Sequence, residues 1–171
     1  MLDSTMEAVG GLVEIMDVSQ ILPNLFVGSC PGSPEDIDRL KRDFGVTAVL
    51  NAQTDDDRAH WGVDWDGLES HYRTAGIEVR RVPVRDFDPD DLRRNLPRCV
   101  EVLDELLQQD QTVCVHCNMG INRSPTIVIA YLHWVEGWDL EKATDHVLEC
   151  RSCDPYLDAI GLAGEDRQRK E

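Results

Sequence analysis

The chain has 171 residues, of which 42% are hydrophobic and 29% charged, and its formal net charge is −16. These values predict one globular domain with a sizeable core. The negative charge argues against nucleic acid and anionic membrane surfaces as partners, and no apolar stretch is long enough to cross a membrane.

The N-terminal part predicts an arm followed by a strand. Residues 1–17 show no clear period and are expected to form a loose arm. The apolar run over residues 21–28 predicts an edge strand, with a bend where Pro23 and Asn24 interrupt it.

A helix and a buried strand are predicted next. Ser33 is a good N-cap, Pro34 suits the first helical position, and Gly45 predicts the end of this helix. Residues 46–50 predict the buried strand, and a polar loop is expected over residues 55–65.

The middle of the chain predicts a helix over residues 68–75 and a third strand over residues 77–84. An acidic loop over residues 85–91 leads into a longer helix. The apolar stripe of this helix consists of Leu92, Leu96, Val100, Leu103 and Leu107.

The last third predicts a buried strand over residues 112–115 and a buried helix over residues 127–135. Gly137 breaks the chain before a final helix over residues 140–151.

Strands that alternate with helical segments predict an α/β fold, with a central, mostly parallel sheet flanked by helices. We expect a single compact domain over residues 18–160, between the N-terminal arm and a C-terminal tail of residues 161–171. The functional site is expected at the carboxyl edge of the sheet, on the loop between a central strand and a helix N-terminus.

That loop is the stretch His-Cys-Asn-Met-Gly-Ile-Asn-Arg-Ser over residues 116–124. A strand, a tight loop and a helix N-terminus form an anion-binding cup, because the loop N–H groups and the helix dipole converge on one point. Cys117 opens the cup, where a thiol is expected to ionise and act as a nucleophile. Arg123 closes the cup and can bind two phosphoryl oxygens with its planar fork. The Cys-x5-Arg-Ser spacing resembles the signature of the cysteine-dependent phosphatases.

The other residues of the cup are expected to support this chemistry. His116 would support the loop and tune the thiolate through hydrogen bonds, and Ser124 would hydrogen-bond the sulfur as it leaves. Gly120 allows the tight turn. The residues expected to bind phosphate, mainly through backbone N–H groups, are Asn118, Met119, Gly120, Ile121 and Asn122.

A phosphocysteine mechanism also needs an acid that protonates the departing oxygen. Asp86 follows the predicted strand of residues 77–84, so we expect it at the same sheet edge as the cup. Its rivals further along the loop are Asp88, Asp90 and Asp91.

Five arginines cluster in sequence around this acidic loop: Arg80, Arg81, Arg85, Arg93 and Arg94. They are interpreted either as local positive charge that attracts a phosphate or as a solvated face of mixed charge.

Zinc binding is an alternative use of the cysteines. Cys114 with Cys117, and Cys150 with Cys153, are pairs at zinc-ligand spacing. Zinc would leave Arg123 and the strand–loop–helix context unexplained, so we expect neither a metal nor another cofactor. Six cysteines are too few for a disulfide scaffold, and a reducing, cytoplasmic compartment is expected.

Three segments together resemble the dual-specificity branch of the protein tyrosine phosphatases. They are Leu-Pro-Asn-Leu-Phe-Val-Gly-Ser at residues 22–29, the Asp86 loop and the His-Cys-x5-Arg-Ser cup. Within that branch, residues 33–41, 60–64 and 86–89 are similar to the glucan phosphatases, which dephosphorylate starch or glycogen.

The resemblance implies a phosphate monoester hydrolase that acts on a phosphorylated glucan. It also implies that Trp61 and Phe87 bind glucan, since the matching aromatic residues of that subfamily stack on sugar rings. The alternatives are a protein phosphatase for phosphotyrosine, phosphoserine or phosphothreonine, and a pseudophosphatase that only binds. The intact Cys117, Arg123 and Asp86 argue against the pseudophosphatase. We expect a monomer whose partner is its substrate, a phosphorylated glucan or a phosphoprotein.

Overall fold

The strand that precedes the cup lies in the middle of a five-stranded sheet. In the computed structural model, which describes residues 16–171, the strands are β1 (Val18–Leu22), β2 (Leu25–Gly28), β3 (Ala48–Asn51), β4 (Glu78–Arg81) and β5 (Val113–His116). Their order across the sheet is β1-β2-β5-β3-β4. Only β1 and β2 pair antiparallel, and the other neighbours pair in parallel. The predicted α/β fold with a mostly parallel sheet is therefore confirmed.

Helices cover both faces of this sheet. They are α1 (Pro34–Phe44), α2 (Asp55–Trp61), α3 (Trp65–Ala75), α4 (Pro89–Gln108), α5 (Arg123–Trp134), α6 (Leu140–Cys150) and α7 (Leu157–Lys170). The larger core includes buried residues of α4, α5, α6 and α7, whereas α1 and α3 pack into a smaller core on the opposite face. Among the described residues, no helix is both long and apolar enough to cross a membrane.

The register of the strands brings their carboxyl ends level. Gly28 is the pairing partner of His116, His116 of Asn51, and Asn51 of Arg81. The loops that follow β2, β5 and β3 therefore leave the sheet side by side. This common edge holds the cup, as expected for a parallel sheet.

The prediction of one bent edge strand over residues 21–28 is wrong. β1 and β2 form a hairpin whose turn is Pro23-Asn24, and of these two strands β1 lies at an edge of the sheet and β2 does not. Proline fixes its own φ and lacks an N–H, and asparagine tolerates turn conformations, so the pair reverses the chain. As a result β2 is an interior strand with every residue buried.

The prediction of a polar loop over residues 55–65 is wrong at both ends, because α2 begins at Asp55 and α3 begins at Trp65. A capping box starts α2: the Thr54 side chain accepts from the Asp57 N–H, and the Asp57 carboxylate accepts from the Thr54 N–H. No residue of α2 is buried, so this helix has no apolar period from which to predict it.

The predicted domain boundary at residue 160 lies inside α7, which continues to Lys170. This helix packs on α4, and it buries Ala159, Ile160 and Ala163. The predicted N-terminal arm lies outside the described residues as far as residue 15. Met16, near its end, is 2% exposed and packs in the smaller core.

Candidate active site

The cup is formed where β5 passes into α5. Cys117 follows β5 directly and Arg123 is the first residue of α5, and both are buried. Gly120, with φ of 68°, turns the loop between them, and a Cβ there would lie 2.6 Å from the Gly28 carbonyl oxygen. The cup opens into a cavity of about 130 Å³ lined by Asp86, Phe87, Cys117, Asn118, Met119, Ile121, Asn122 and Arg123.

Arg123 has one half of its guanidinium fixed and the other half free. Nη1 donates to the Val84 carbonyl oxygen at 2.7 Å and to Asp57 Oδ2, also at 2.7 Å. Nε and Nη2 are buried, and within residues 16–171 neither has a hydrogen-bond partner. Asp86 Oδ2 lies 3.3 Å from Nη2, without the alignment of a hydrogen bond. Because buried guanidinium donors without partners are costly, these two atoms mark a site for an anion.

Two side chains contact the cysteine or its peptide. Ser124 Oγ lies 3.3 Å from Cys117 Sγ, and both residues are buried. His116 Nδ1 lies 3.0 Å from the Cys117 carbonyl oxygen, which can only accept, so Nδ1 carries the proton. Burial, helped by Arg123, lowers the pKa of His116 to about 4, so the ring is neutral at pH 7. His116 thus contacts the backbone of the loop as a neutral donor.

Asp86 reaches the cup from the loop that follows β4. Its Oδ2 lies 3.4 Å from Asn118 Nδ2, and its Oδ1 accepts from the Phe87 N–H at 3.2 Å. Phe87 is 84% exposed and has a φ of 55°, a left-handed conformation that is rare for a bulky residue. Such backbone strain persists where neighbouring structure fixes it and is common at functional sites.

The three rival carboxylates serve the start of α4. Asp88 is the N-cap and accepts from the Asp91 N–H at 2.9 Å. Asp91 accepts from the Arg85 N–H at 2.8 Å, and Asp90 lies in the first turn of the helix. Of these four aspartates, only Asp86 lines the cup.

Asp57 and Gln53 belong to the site and were not predicted from the sequence. Asp57 binds Arg123, and its Oδ1 accepts from Asn118 Nδ2 at 3.0 Å. Burial alone would raise the pKa of Asp57, but hydrogen bonds from Arg123, Thr54 and Asn118 outweigh it and hold that pKa below its usual value. Gln53 Nε2 donates to Asn118 Oδ1 at 2.8 Å. The capping pair formed by Thr54 and Asp57 was the sequence signal that could have placed a helix start, and with it Asp57, at this edge of the sheet.

Arg151 binds the backbone of the cup and was also not predicted. Its Nε donates to the Gly120 carbonyl oxygen at 2.7 Å, and its Nη2 donates to that of Met119 at 3.0 Å. It also pairs with Asp17, next to β1. No motif around Arg151 indicates this role, because its partners are distant in sequence.

The structure separates the two aromatic residues predicted to bind glucan. Phe87 lines the cavity above the cup. Trp61 ends α2, is 38% exposed and packs edge-on against His60, but it does not line that cavity.

The arginine cluster does not form a positive patch at the cup. Each of its members pairs with a carboxylate: Arg80 with Glu105, Arg81 with Asp55, Arg85 with Asp88, Arg93 with Asp166 and Arg94 with Asp91. The interpretation as a face of mixed charge fits these contacts.

The four cysteines of the zinc alternative are not assembled. Within residues 16–171, no group of three or more His, Cys, Asp or Glu side chains is placed to hold a metal ion. Cys114 packs in the smaller core and Cys117 lies in the cup, while Cys150 and Cys153 pack at the margin of the larger core.

Comparison with known proteins agrees with this geometry. The family model described as "Dual specificity phosphatase, catalytic domain" matches residues 25–155. The chain is 40% identical to "Phosphoglucan phosphatase DSP4, amyloplastic" of Castanea sativa, over 85% of this chain and 39% of that protein. It is 35% identical to "Laforin" of Mus musculus, over 88% of this chain and 48% of that protein. The chain thus spans less than half the length of these relatives.

The fold is also similar to that of solved structures. The crystal structure of PTPMT1 in complex with PI(5)P superposes with a TM-score of 0.71, at 21% identity, covering 91% of this chain and 96% of that one. At this identity the likeness concerns the fold alone. Because the family model matches residues 25–155, which is most of the chain, the chain belongs to the dual specificity phosphatase catalytic domain family.

Proposed function

We propose that this chain hydrolyses phosphate monoesters through a covalent intermediate on Cys117, and that its substrate is a phosphorylated glucan. The observation that carries the first part is the state of Arg123. Its guanidinium is fixed through Nη1, while the buried Nε and Nη2 have no hydrogen-bond partner within the described residues. This pair of donors beside a cysteine matches the needs of a bound phosphoryl group.

In the first step, the Cys117 thiolate attacks phosphorus in line with the departing oxygen. The S–P bond forms, the P–O bond breaks, and Asp86 gives its proton to the departing oxygen. Arg123 and the N–H groups of the loop stabilise the charge on the other phosphoryl oxygens.

In the second step, water attacks the phosphocysteine and gives its proton to Asp86. The S–P bond breaks and releases orthophosphate. Cys117 leaves as a thiolate, to which the Ser124 hydroxyl can donate from 3.3 Å away.

The glucan part of the proposal rests on the relatives and on Phe87. Two relatives at 40% and 35% identity are a phosphoglucan phosphatase and laforin. Phe87, 84% exposed, presents an aromatic ring at the rim of the cup. A sugar ring can stack on such a surface, and a largely neutral polymer would avoid repulsion by a chain of net charge −16. In this proposal Trp61 extends the sugar-binding surface.

We also propose that the protein works as a monomer in a reducing compartment such as the cytoplasm. A free thiol is required at Cys117, and all six cysteines are unpaired.

The chemical step is tested with Cys117→Ser and an aryl phosphate. The variant should lose turnover, because the cup does not ionise an alcohol at neutral pH, while its melting temperature stays near that of the wild type. More than trace turnover by a folded Cys117→Ser protein would refute the phosphocysteine intermediate.

The role of Asp86 is tested with leaving groups of different basicity. Asp86→Asn should lower the rate by roughly 10²–10⁴-fold for a sugar phosphate, the usual contribution of a positioned acid, and less for an activated phenol. An equal loss on both substrates would make Asp86 structural.

The substrate is tested by comparing phosphate release from amylopectin with release from phosphopeptides. Phe87→Ala should weaken glucan binding by about 1–3 kcal/mol, by analogy with other rings stacked on aromatic side chains, and leave a small aryl phosphate nearly unaffected. Leu162→Ala, at an exposed apolar residue on α7, serves as the control. Faster turnover of phosphopeptides, together with no effect of Phe87→Ala on glucan, would favour the protein phosphatase.

A further inference from the structure

A second cavity lies behind the cup, on the face of the sheet covered by α1 and α3. Its volume is about 340 Å³, which is within the range of small-molecule pockets. Asn51 and His116, the last residues of two neighbouring strands, form its floor, and α2 and α3 contribute to its walls. It shares no lining residue with the cup, and the peptide between His116 and Cys117 separates the two.

The floor presents one acceptor and one donor that the protein does not use. His116 is 1% exposed, and its Nδ1–H is bound to the Cys117 carbonyl oxygen, so Nε2 carries a free lone pair. Asn51 Oδ1 accepts from the Gln53 N–H at 2.8 Å, which leaves Nδ2 as the free end of the amide. Across residues 16–171, neither His116 Nε2 nor Asn51 Nδ2 has a hydrogen-bond partner. A hydroxyl group could bind both, since it donates and accepts.

The walls combine an apolar surface with positive charge. The apolar and aromatic residues are Trp65, Leu68, Tyr72, Ile77 and Val79. The charged residues are Arg58, Arg73, Arg81 and Glu69. Glu69 pairs with Arg58 and the exposed Asp55 pairs with Arg81, whereas Arg73 has no carboxylate within ion-pair distance in the described part of the chain. The cavity is therefore locally positive on a strongly negative molecule.

Buried polar groups in native proteins are nearly always satisfied, by protein, water or ligand. The unused acceptor of His116 and the unused donor of Asn51 thus indicate a polar occupant of this cavity.

We propose that this cavity binds a small hydroxylated anion, of the class of sugar acids and sugar phosphates. Its hydroxyl groups bind His116 Nε2 and Asn51 Nδ2, and its anionic group faces Arg73. The site does not depend on the catalytic proposal, because it uses none of the residues that line the cavity of the cup. It is nevertheless coupled to the cup: a hydroxyl that donates to Nε2 polarises the imidazole and strengthens the bond from Nδ1–H to the Cys117 carbonyl oxygen.

Calorimetric titration of the wild-type protein tests the proposal, with orthophosphate present in excess to occupy the cup. Glucuronate and glucose 6-phosphate should each bind at least about tenfold more tightly than glucose, which lacks the charge, or acetate, which lacks the hydroxyls; this corresponds to about 1.4 kcal/mol. If only glucose 6-phosphate binds, the site requires a phosphate; if both bind, any hydroxylated anion is accepted.

Two variants locate the binding. Arg73→Gln should weaken glucuronate binding about tenfold, whereas Arg42→Gln, at an exposed arginine on α1, should not. Val79→Phe should abolish binding by filling the cavity, and because Val79 is 37% exposed this change should leave the fold and the turnover of aryl phosphate intact.

Nitrogen NMR of the histidine rings gives a direct readout. The Nε2 resonance of His116 should move on addition of glucuronate, whereas that of the exposed His60 should not. The proposal is overturned if neither anion binds at concentrations up to about 10 mM, or if binding occurs without a shift at His116 and without loss in Arg73→Gln and Val79→Phe.

Discussion

Asp57 and Asp86 both approach Arg123, and their contacts separate their roles. Asp57 is held by Arg123, Asn118 and the Thr54 N–H, so its oxygens are engaged. Asp86 has only long contacts to the same groups, at 3.3 Å and 3.4 Å. Asp57 is therefore suited to fix the arginine, and Asp86 to exchange a proton with a bound substrate.

The variant Asp57→Asn should weaken the binding of phosphate. The loss of a hydrogen bond between charged groups costs about 1.5–3 kcal/mol, so kcat/KM for an aryl phosphate should fall by about 10- to 150-fold. The inhibition constant of orthophosphate should rise in parallel. Asp55→Asn is the matched control, because Asp55 lies on the same helix and is 89% exposed. Equal kinetics of the two variants would contradict a positioning role for Asp57.

His116 should make the free energy of unfolding depend on pH. Its pKa is about 4 in the folded protein, against 6.5 for the free side chain. Between these values the unfolded chain binds a proton that the folded protein does not, so stability is fully present above pH 6.5 and is lost as the pH falls towards 4. The loss should be on the order of 3 kcal/mol.

Denaturant unfolding at several pH values measures this effect. His116→Gln should lose less stability than the wild type over that window, whereas His60→Gln, at an exposed histidine, should follow the wild type. Parallel curves for the wild type and His116→Gln would show that His116 is not held neutral. Asp57, whose pKa is lowered, also contributes to the free energy of unfolding, but at lower pH. Its contribution is lost only as the pH falls below the ordinary pKa of a carboxyl group.

At the residue scale, local spacing predicted those site residues that belong to one continuous motif. Cys117, Arg123 and Ser124 belong to one continuous stretch of loop and helix, and the common direction of parallel strands was enough to expect Asp86 at the same edge of the sheet. Asp57 and Arg151 reach the cup from 66 and 31 residues away in sequence. Contacts of that kind depend on how helices pack, which periodicity does not specify.

At the scale of elements, helices whose apolar residues recur at helical spacing were predicted, and helices without such a stripe were not. α1 and α4 carry clear stripes and were predicted, α1 together with its caps, whereas α2 buries no residue. α7 buries only Ala159, Ile160 and Ala163, and its two glycines and polar end hide that short stripe.

Two substitutions on α7 test whether this helix is part of the folded domain. Ile160 is 1% exposed, so Ile160→Ala should cost about 2–5 kcal/mol of unfolding free energy, the usual range for a buried aliphatic residue. Leu162, 41% exposed on the same helix, should cost less than about 0.5 kcal/mol when changed to Ala. Equal, small effects would mean that residues 161–171 form a dispensable tail, as the sequence had indicated.

At the scale of the whole molecule, the net charge of −16 should set the salt dependence of catalysis. A dianionic aryl phosphate is repelled by this field, and salt screens it, with a Debye length of about 30 Å at 0.01 M and about 10 Å at 0.1 M. Its KM should therefore fall as sodium chloride rises over that range. A phosphopeptide rich in lysine should show the reverse. A KM for the aryl phosphate that rises with salt would mean that the field at the cup is positive.

The close approach of Gly120 to Gly28 has a consequence for how the protein folds. The loop of the cup fits against β2 with no space for a Cβ at Gly120, and Arg151 binds the same turn next to Gly28. Residues 28, 120 and 151 are far apart in the chain, so the loop acquires its shape only after three distant segments have met. Contacts of such long range form slowly during folding. In refolding, catalytic activity should therefore return after the helical circular-dichroism signal. The delay between the two signals would measure how long the β1–β2 hairpin takes to dock.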